Sequence, residues 1–188
     1  MNTKISDTVF YKFPVLESER LLFRAMETTD AKAMFSIRSN QQVMEYLDMD
    51  SHQSETDSLK MIELIQQNFR DKEGISWAII EKETKQFIGY IGFWRLIKEH
   101  VRAEIGYSLH PTVWGKGYMI EAMHVILNYG FTRFGLHSIE ANVNRKNKKS
   151  MAVLEKMGFV KEAHFRENYF YNGVFIDSII YSLLESDF

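Results

Sequence analysis

The stretch from residue 103 to residue 123 constrains the fold more than any other. Ala103, Ile105, Tyr107 and Leu109 alternate with Glu104, Gly106 and Ser108, and a period of two marks a half-buried strand. That strand runs directly into "HPTVWGKGYMIEAM", residues 110–123, where Gly115 and Gly117 flank Lys116. Met119, Ala122, Ile126 and Tyr129 then recur at helical spacing, which predicts a helix from about Tyr118 to Phe131. Two glycines between strand and helix permit positive φ and close backbone approach. The first amides of a helix lack internal partners and lie at the positive end of its dipole, so such a turn suits an anion. At this point a tight strand–helix connection without a ligand is an equal alternative.

Arg20 to Arg24 reads as a first strand, and Thr28-Thr29-Asp30 as the cap of a helix over Ala31 to Arg38. Leu59, Ile62, Ile65 and Phe69, widened by Met61 and Leu64, make an amphipathic helix of Ser54 to Phe69. Residues 76–80 and 87–94 are strand-like around the polar turn Glu83-Thr84-Lys85, which predicts a hairpin. Trp77, Tyr90, Phe93 and Trp94 are expected in the core or in a pocket wall. A short strand at Ser138 to Val143 precedes a helix of Lys148 to Met157, stopped by Gly158. Two final strands, His164 to Tyr171 and Val174 to Leu184, meet at Asn172-Gly173, a strong tight-turn signal. The order gives a mixed α/β chain built around one sheet, expected as a single domain over residues 1–188.

Composition removes several classes of function. No cysteine occurs, so disulfides, thiolate zinc sites and a cysteine nucleophile are all excluded. The six histidines, at 52, 100, 110, 124, 137 and 164, show no metal-ligand spacing. The N-terminal residues, "MNTKISDTVFYKF", carry no apolar core of a signal peptide, and apolar runs are short. A cytoplasmic location without membrane contact is the expectation. A net charge of −2 argues against direct nucleic-acid binding. The one basic cluster, residues 145–149, is either a solvated face or a contact to a phosphorylated ligand or RNA.

Two nucleotide fingerprints fail. A Rossmann turn needs Gly or Ala where Ile120 stands, and no Walker A run exists. A shorter turn for a pyrophosphate is left. Four blocks then resemble the GNAT superfamily of acetyl-CoA-dependent N-acetyltransferases, specifically its ribosomal-protein N-terminal (alanine/serine) acetyltransferase-like branch. They are "ESERLLFR", "AEIGYSLHPTVWGKGYMIEA", "NKKSMAVLEKMGF" and "NGVFIDSIIYSLL", in that order, within residues 15–185. The resemblance implies a GNAT fold: a mixed, mostly antiparallel sheet of about six or seven strands flanked by about four helices. It implies acetyl-CoA as acetyl donor, no metal, a primary amine as acceptor, and a homodimer as one assembly. The superfamily pattern Q/R-x-x-G-x-G/A becomes Trp114, Gly115, Lys116, Gly117, Tyr118, Met119, with Gly117 kept and Trp114 and Met119 departing. Their backbone amides are thereby expected to hold the pyrophosphate.

Attack of an amine on a thioester needs a neutral amine, although an α-amine has a pKa near ~8. A base, an oxyanion donor and an acid for the thiolate each help. Glu104, on the strand before the glycine turn, is one candidate base and Glu167 the other; solvent is the third. Branch relatives carry a carboxylate near this region, but counting from Ser150 places it at Tyr169, two residues beyond Glu167. The tyrosine acid of many superfamily members falls on Leu154 here, which has no proton to give. The branch's N-x-x-S motif instead implies Ser150 as acid and Asn147 as a contact to the pantetheine arm. The acceptor is left open among a protein N-terminus, a small amine and an aminoglycoside, with a non-catalytic acyl-CoA-binding module as the competing class. Acceptor loops are expected at residues 24–50 and 94–102.

Overall fold

Strong local signals set the element boundaries. In the computed structural model, which describes residues 5–188, β1 is Leu16–Glu17, β2 Leu21–Arg24, α1 Ala31–Arg38, α2 Gln41–Met44 and α3 Glu55–Arg70. The first four residues of the N-terminal segment lie outside the described residues. Then follow β3 Ile75–Glu81, β4 Phe87–Ile97, β5 Arg102–Leu109, α4 Tyr118–Tyr129, β6 Ser138–Asn144, α5 Lys148–Lys156, β7 Val160–Tyr171 and β8 Val174–Leu184. Ser54 and Asp57 form a reciprocal capping box that starts α3. Asn172 and Gly173 both take positive φ, 47° and 78°, in the turn joining β7 to β8.

The eight strands form one sheet in the order β1-β2-β3-β4-β5-β6-β8-β7. Every neighbouring pair is antiparallel except β5 and β6, which are parallel and joined through α4. Strands and helices each exceed the expected number by about one. The additions are the two-residue β1 and the one-turn α2, both too short to leave a periodic pattern in the sequence. No helix among the described residues is long and apolar enough to cross a membrane.

Alternation along β3 assigns the two faces of the sheet. Trp77 and Ile79 join Phe93, Ile105 and Ile139 under Ala122, Ile126 and Leu127 of α4 and Leu154 of α5. Ala78 and Ile80 turn the other way, onto Met34 of α1 and Ile62 of α3. Leu154 is wholly buried, so the residue at the superfamily's tyrosine position is a core residue here. Two expectations need correction. Trp94 is not core: a register shift between Phe93 and Arg95 turns it outward, 52% exposed. Residues 94–102 are not a long loop either, because β4 continues to Ile97 and only a short turn separates it from β5.

Candidate active site

The sheet opens between its two parallel strands. β5 and β6 pair only at Arg102–Ser138, Ala103–Ile139 and Glu104–Glu140. Beyond that point β5 continues to Leu109 and β6 to Asn144 without pairing to each other. A cleft of about 1080 Å³ occupies this end of the sheet. Its wall includes Tyr107 from β5, Trp114, Gly115 and Gly117 from the turn, and Asn147 and Ser150 from the start of α5. A polar strand edge and two helix starts therefore face one space, an arrangement suited to an extended polar chain ending in phosphates.

The glycine turn has the conformation that its sequence requires. Gly115 has φ of 74° and Gly117 has φ of 81°, both unfavourable for a side-chain-bearing residue. The amides of residues 115–119 meet no hydrogen-bond acceptor among the described residues. Nothing lies within 4 Å of where a Cβ on Gly115 would stand. These open amides, with Lys146, Lys148 and Lys149 on the cleft wall, fit a pyrophosphate. Lys149 Nζ sits 4.4 Å from the centre of the Trp114 ring, a cation–π contact joining the turn to α5. Trp114 Nε1–H is held by the Leu109 carbonyl at 2.9 Å. The unusual Trp114 thus serves as a packing post between the two helix starts. Met119 is buried although it borders the cleft, and the exposed Lys116 side chain is not on the wall.

A clasp from the turn between β1 and β2 fixes the glycine turn. Arg20 donates from Nε to Glu121 at 2.6 Å and from Nη1 to the Lys116 carbonyl at 3.0 Å, while Ser18 Oγ donates to Glu121 at 2.7 Å. Its guanidinium lies 4.3 Å from the centre of the Tyr118 ring, and Tyr118 Oη–H donates to Glu81. Burial alone would raise the Glu121 carboxyl, but bonds from Ser18 and Arg20 hold it below the ordinary range. A depressed folded pKa contributes stability that is present above the unfolded pKa of ~4.3 and is lost as pH falls through the folded value. Glu121→Gln is therefore expected to cost about 1 kcal/mol at neutral pH, roughly 2–4 °C in Tm. Melting curves across pH should show the gap to wild type closing in acid; a gap that persists unchanged would contradict the clasp.

Tyr107, overlooked in the sequence except as part of an alternating face, makes the most informative contact of the cleft. Its hydroxyl lies 2.7 Å from Ser150 Oγ, linking β5 to the first turn of α5. Burial pushes the Tyr107 phenol up to about 12, against the opposing effect of the Ser150 bond. Asn147 caps α5 by accepting from the Ser150 amide at 3.0 Å, so its carbonyl oxygen is already engaged while its side chain borders the cleft.

The two candidate bases lie apart. Glu104 is buried at the last paired position before the strands separate, and by alternation on the sheet face opposite Tyr107. Burial pushes its carboxyl up, Arg95 at 2.7 Å pulls it down, and neighbouring Glu140 pushes it up again. Glu167 lies in a bulge of β7, exposed, with φ of 51° and its amide donated to Asp177 at 3.0 Å. Neither Glu104 nor Glu167 is part of the cleft wall.

Comparison with known proteins agrees with this geometry. Residues 20–160 match the family model described as an acetyltransferase (GNAT) domain. An uncharacterized N-acetyltransferase of Bacillus subtilis, YoaA, is 38% identical over 92% of this chain and 98% of its own. A spermidine N-acetyltransferase from Vibrio cholerae, solved in complex with CoA and spermine, superposes with a TM-score of 0.79 at 28% identity, covering 90% of this chain and 98% of that one. A ribosomal-protein-S5-alanine acetyltransferase from Vibrio fischeri shares the fold, with a TM-score of 0.81 at 23% identity over 93% and 98% of the two chains. With the open parallel pair, the glycine turn and these relatives in hand, the chain belongs to the GNAT family and is an acetyl-CoA-dependent N-acetyltransferase.

Proposed function

We propose that the chain acetylates a primary amine by direct attack on acetyl-CoA held in the cleft, with the N-terminal amine of a ribosomal protein as acceptor. The observation that carries this reading is the convergence of the open α4 amides and the Tyr107–Ser150 pair on one cleft. The amides of residues 115–119 take the pyrophosphate; that of Trp114, expected from the sequence to join them, is instead donated to the Pro111 carbonyl at 3.1 Å. Asn147 borders the pantetheine arm. Ser150 donates a hydrogen bond to the departing sulfur at the positive end of α5, where a developing negative charge is favoured. No cysteine is available to carry an acetyl group, which removes the acetyl-cysteine route and favours attack with amine and donor in one complex.

Glu104 is the base best supported by position. It stands where β5 and β6 part, so it borders the place where an amine entering from the α1–α3 face would reach the thioester. Its base form exists only above a raised pKa, so the acidic limb of the rate profile should lie above ~4.3. Glu104→Gln should lower kcat/KM roughly tenfold and remove that limb. Glu167→Gln, in the exposed bulge of β7, should leave it in place. The opposite result for the pair would reassign the base.

A polyamine is the second reading. The Vibrio cholerae relative solved with spermine and the Glu45 carboxylate on the cleft wall favour it. Acetylation rates for an N-terminal alanine or serine peptide, spermidine and an aminoglycoside decide among the acceptors. A peptide preference supports the first reading, and spermidine as the sole good substrate replaces it with the second.

A further inference from the structure

Ser150 is the only group touched by the Tyr107 hydroxyl among the described residues. A part-buried phenol bound to a cleft hydroxyl across 43 positions of sequence calls for an account, since phenylalanine would fill the same apolar volume without a polar atom to satisfy. We propose that Tyr107 is a positioning residue for the Ser150 hydroxyl, fixing its orientation so that its hydrogen points into the cleft at the departing sulfur. The inference rests on the assignment of Ser150 to that sulfur.

Either hydroxyl fits as donor at 2.7 Å, and Tyr107 Oη–H is proposed as the donor. Asn147 is already occupied by the Ser150 amide, and Lys149 is turned onto the Trp114 ring. With Tyr107 Oη–H donating to Ser150 Oγ, the serine hydrogen is left with the cleft as its destination. A donated bond at the oxygen also strengthens the serine O–H as a donor. The alternative, full delivery of the phenol proton through Ser150 to sulfur, is disfavoured. A phenol near 12 gives up its proton to a thiolate near ~8.5 with an equilibrium constant more than roughly a thousandfold against transfer. Tyr107 therefore keeps its proton. In the reaction a C–N bond forms and the C–S bond breaks. The proton lost by the amine leaves through the base, and the sulfur leaves as a hydrogen-bonded thiolate that takes one proton from solvent. Tyr107 and Ser150 end as they began.

The test uses the full-length protein and coenzyme A itself, so it needs no acceptor. The ultraviolet absorbance of the bound thiolate is titrated against pH, with desulfo-coenzyme A as blank, in wild type, Tyr107→Phe, Ser150→Ala and the double variant. Lys146, Lys148, Lys149 and Glu45 border the cleft in all four proteins and cancel in the comparison. Bound thiol in wild type should ionise below ~8.5. Tyr107→Phe should weaken ionisation roughly tenfold, Ser150→Ala at least as much, and the double variant should match Ser150→Ala. Calorimetric affinity at neutral pH, unchanged in Tyr107→Phe, reports that the cleft is intact. Tyr107→Phe titrating like wild type while Ser150→Ala shifts would overturn the inference alone. Full additivity in the double variant would also overturn it, because Tyr107 would then act without Ser150. No shift in Ser150→Ala would remove the assignment on which it rests.

Discussion

Gly117→Trp is expected to abolish measurable binding of coenzyme A. The position has φ of 81°, so any side chain pays ~1–2 kcal/mol of backbone strain before contacts are considered. Space alone is not the obstacle for a small group, since a Cβ there would meet only Arg20 Nη2, at 3.6 Å. An indole, however, would project from the residue that opens α4 and cover the amides meant for the pyrophosphate. Losing two charge-assisted bonds at ~1.5–3 kcal/mol each implies at least a hundredfold weaker affinity by calorimetry. Gly117→Ala separates the two effects: its melting temperature should fall while much of the affinity survives. Equal affinities for wild type and Gly117→Trp would remove the pyrophosphate from this turn.

Ser150→Ala is expected to reduce turnover about a hundredfold while leaving the Kd of acetyl-CoA within roughly threefold. The Asn147 cap on α5 accepts from the Ser150 backbone amide and survives the change. The Tyr107 hydroxyl loses its partner in a part-buried setting, so stability should also drop by ~1 kcal/mol. Turnover at the wild-type level would strip Ser150 of its role at the sulfur.

The elements that could be read from the sequence are those with local chemistry. β5, the glycine turn and α4 are encoded by alternation, two glycines and helical spacing within 28 consecutive residues, and Gly115 and Gly117 adopt the positive φ expected of them. α1 spans Ala31 to Arg38 as expected, but its cap differs: Asp30 makes no side-chain bond to α1, and Thr28–Asp30 form a short 3-10 turn in a capping box with Glu27. What escaped depends on contacts between distant segments. Arg20 and Glu121 are 101 positions apart, and nothing near either announces the other. Tyr107 reads as one more apolar position in an alternating strand until Ser150 is brought against it. The opening between β5 and β6 is a property of pairing, which strand propensity does not specify.

Glu167 shows a further limit, that of counting. β7 shifts register between Lys161 and Ala163 and again between Phe165 and Tyr169. Residues added in bulges move a side chain along the strand and from one face to the other, so the two residues between Glu167 and the counted position Tyr169 carry little geometric meaning. Glu104, by contrast, lies in the short run where β5 and β6 stay in register, and its strand position follows directly from the alternation.

The central claim is that one cleft binds acetyl-CoA and passes its acetyl group to an amine with no acyl-enzyme on the way. The most direct measurement follows free coenzyme A thiol, acetylated amine and intact protein mass together, with and without an N-terminal alanine peptide or spermidine. Thiol release should require the amine, match the acetylated amine one for one and leave the protein mass unchanged. Tight acetyl-CoA binding with no amine-dependent thiol release, or an acetylated protein that forms before amine is added, would contradict it.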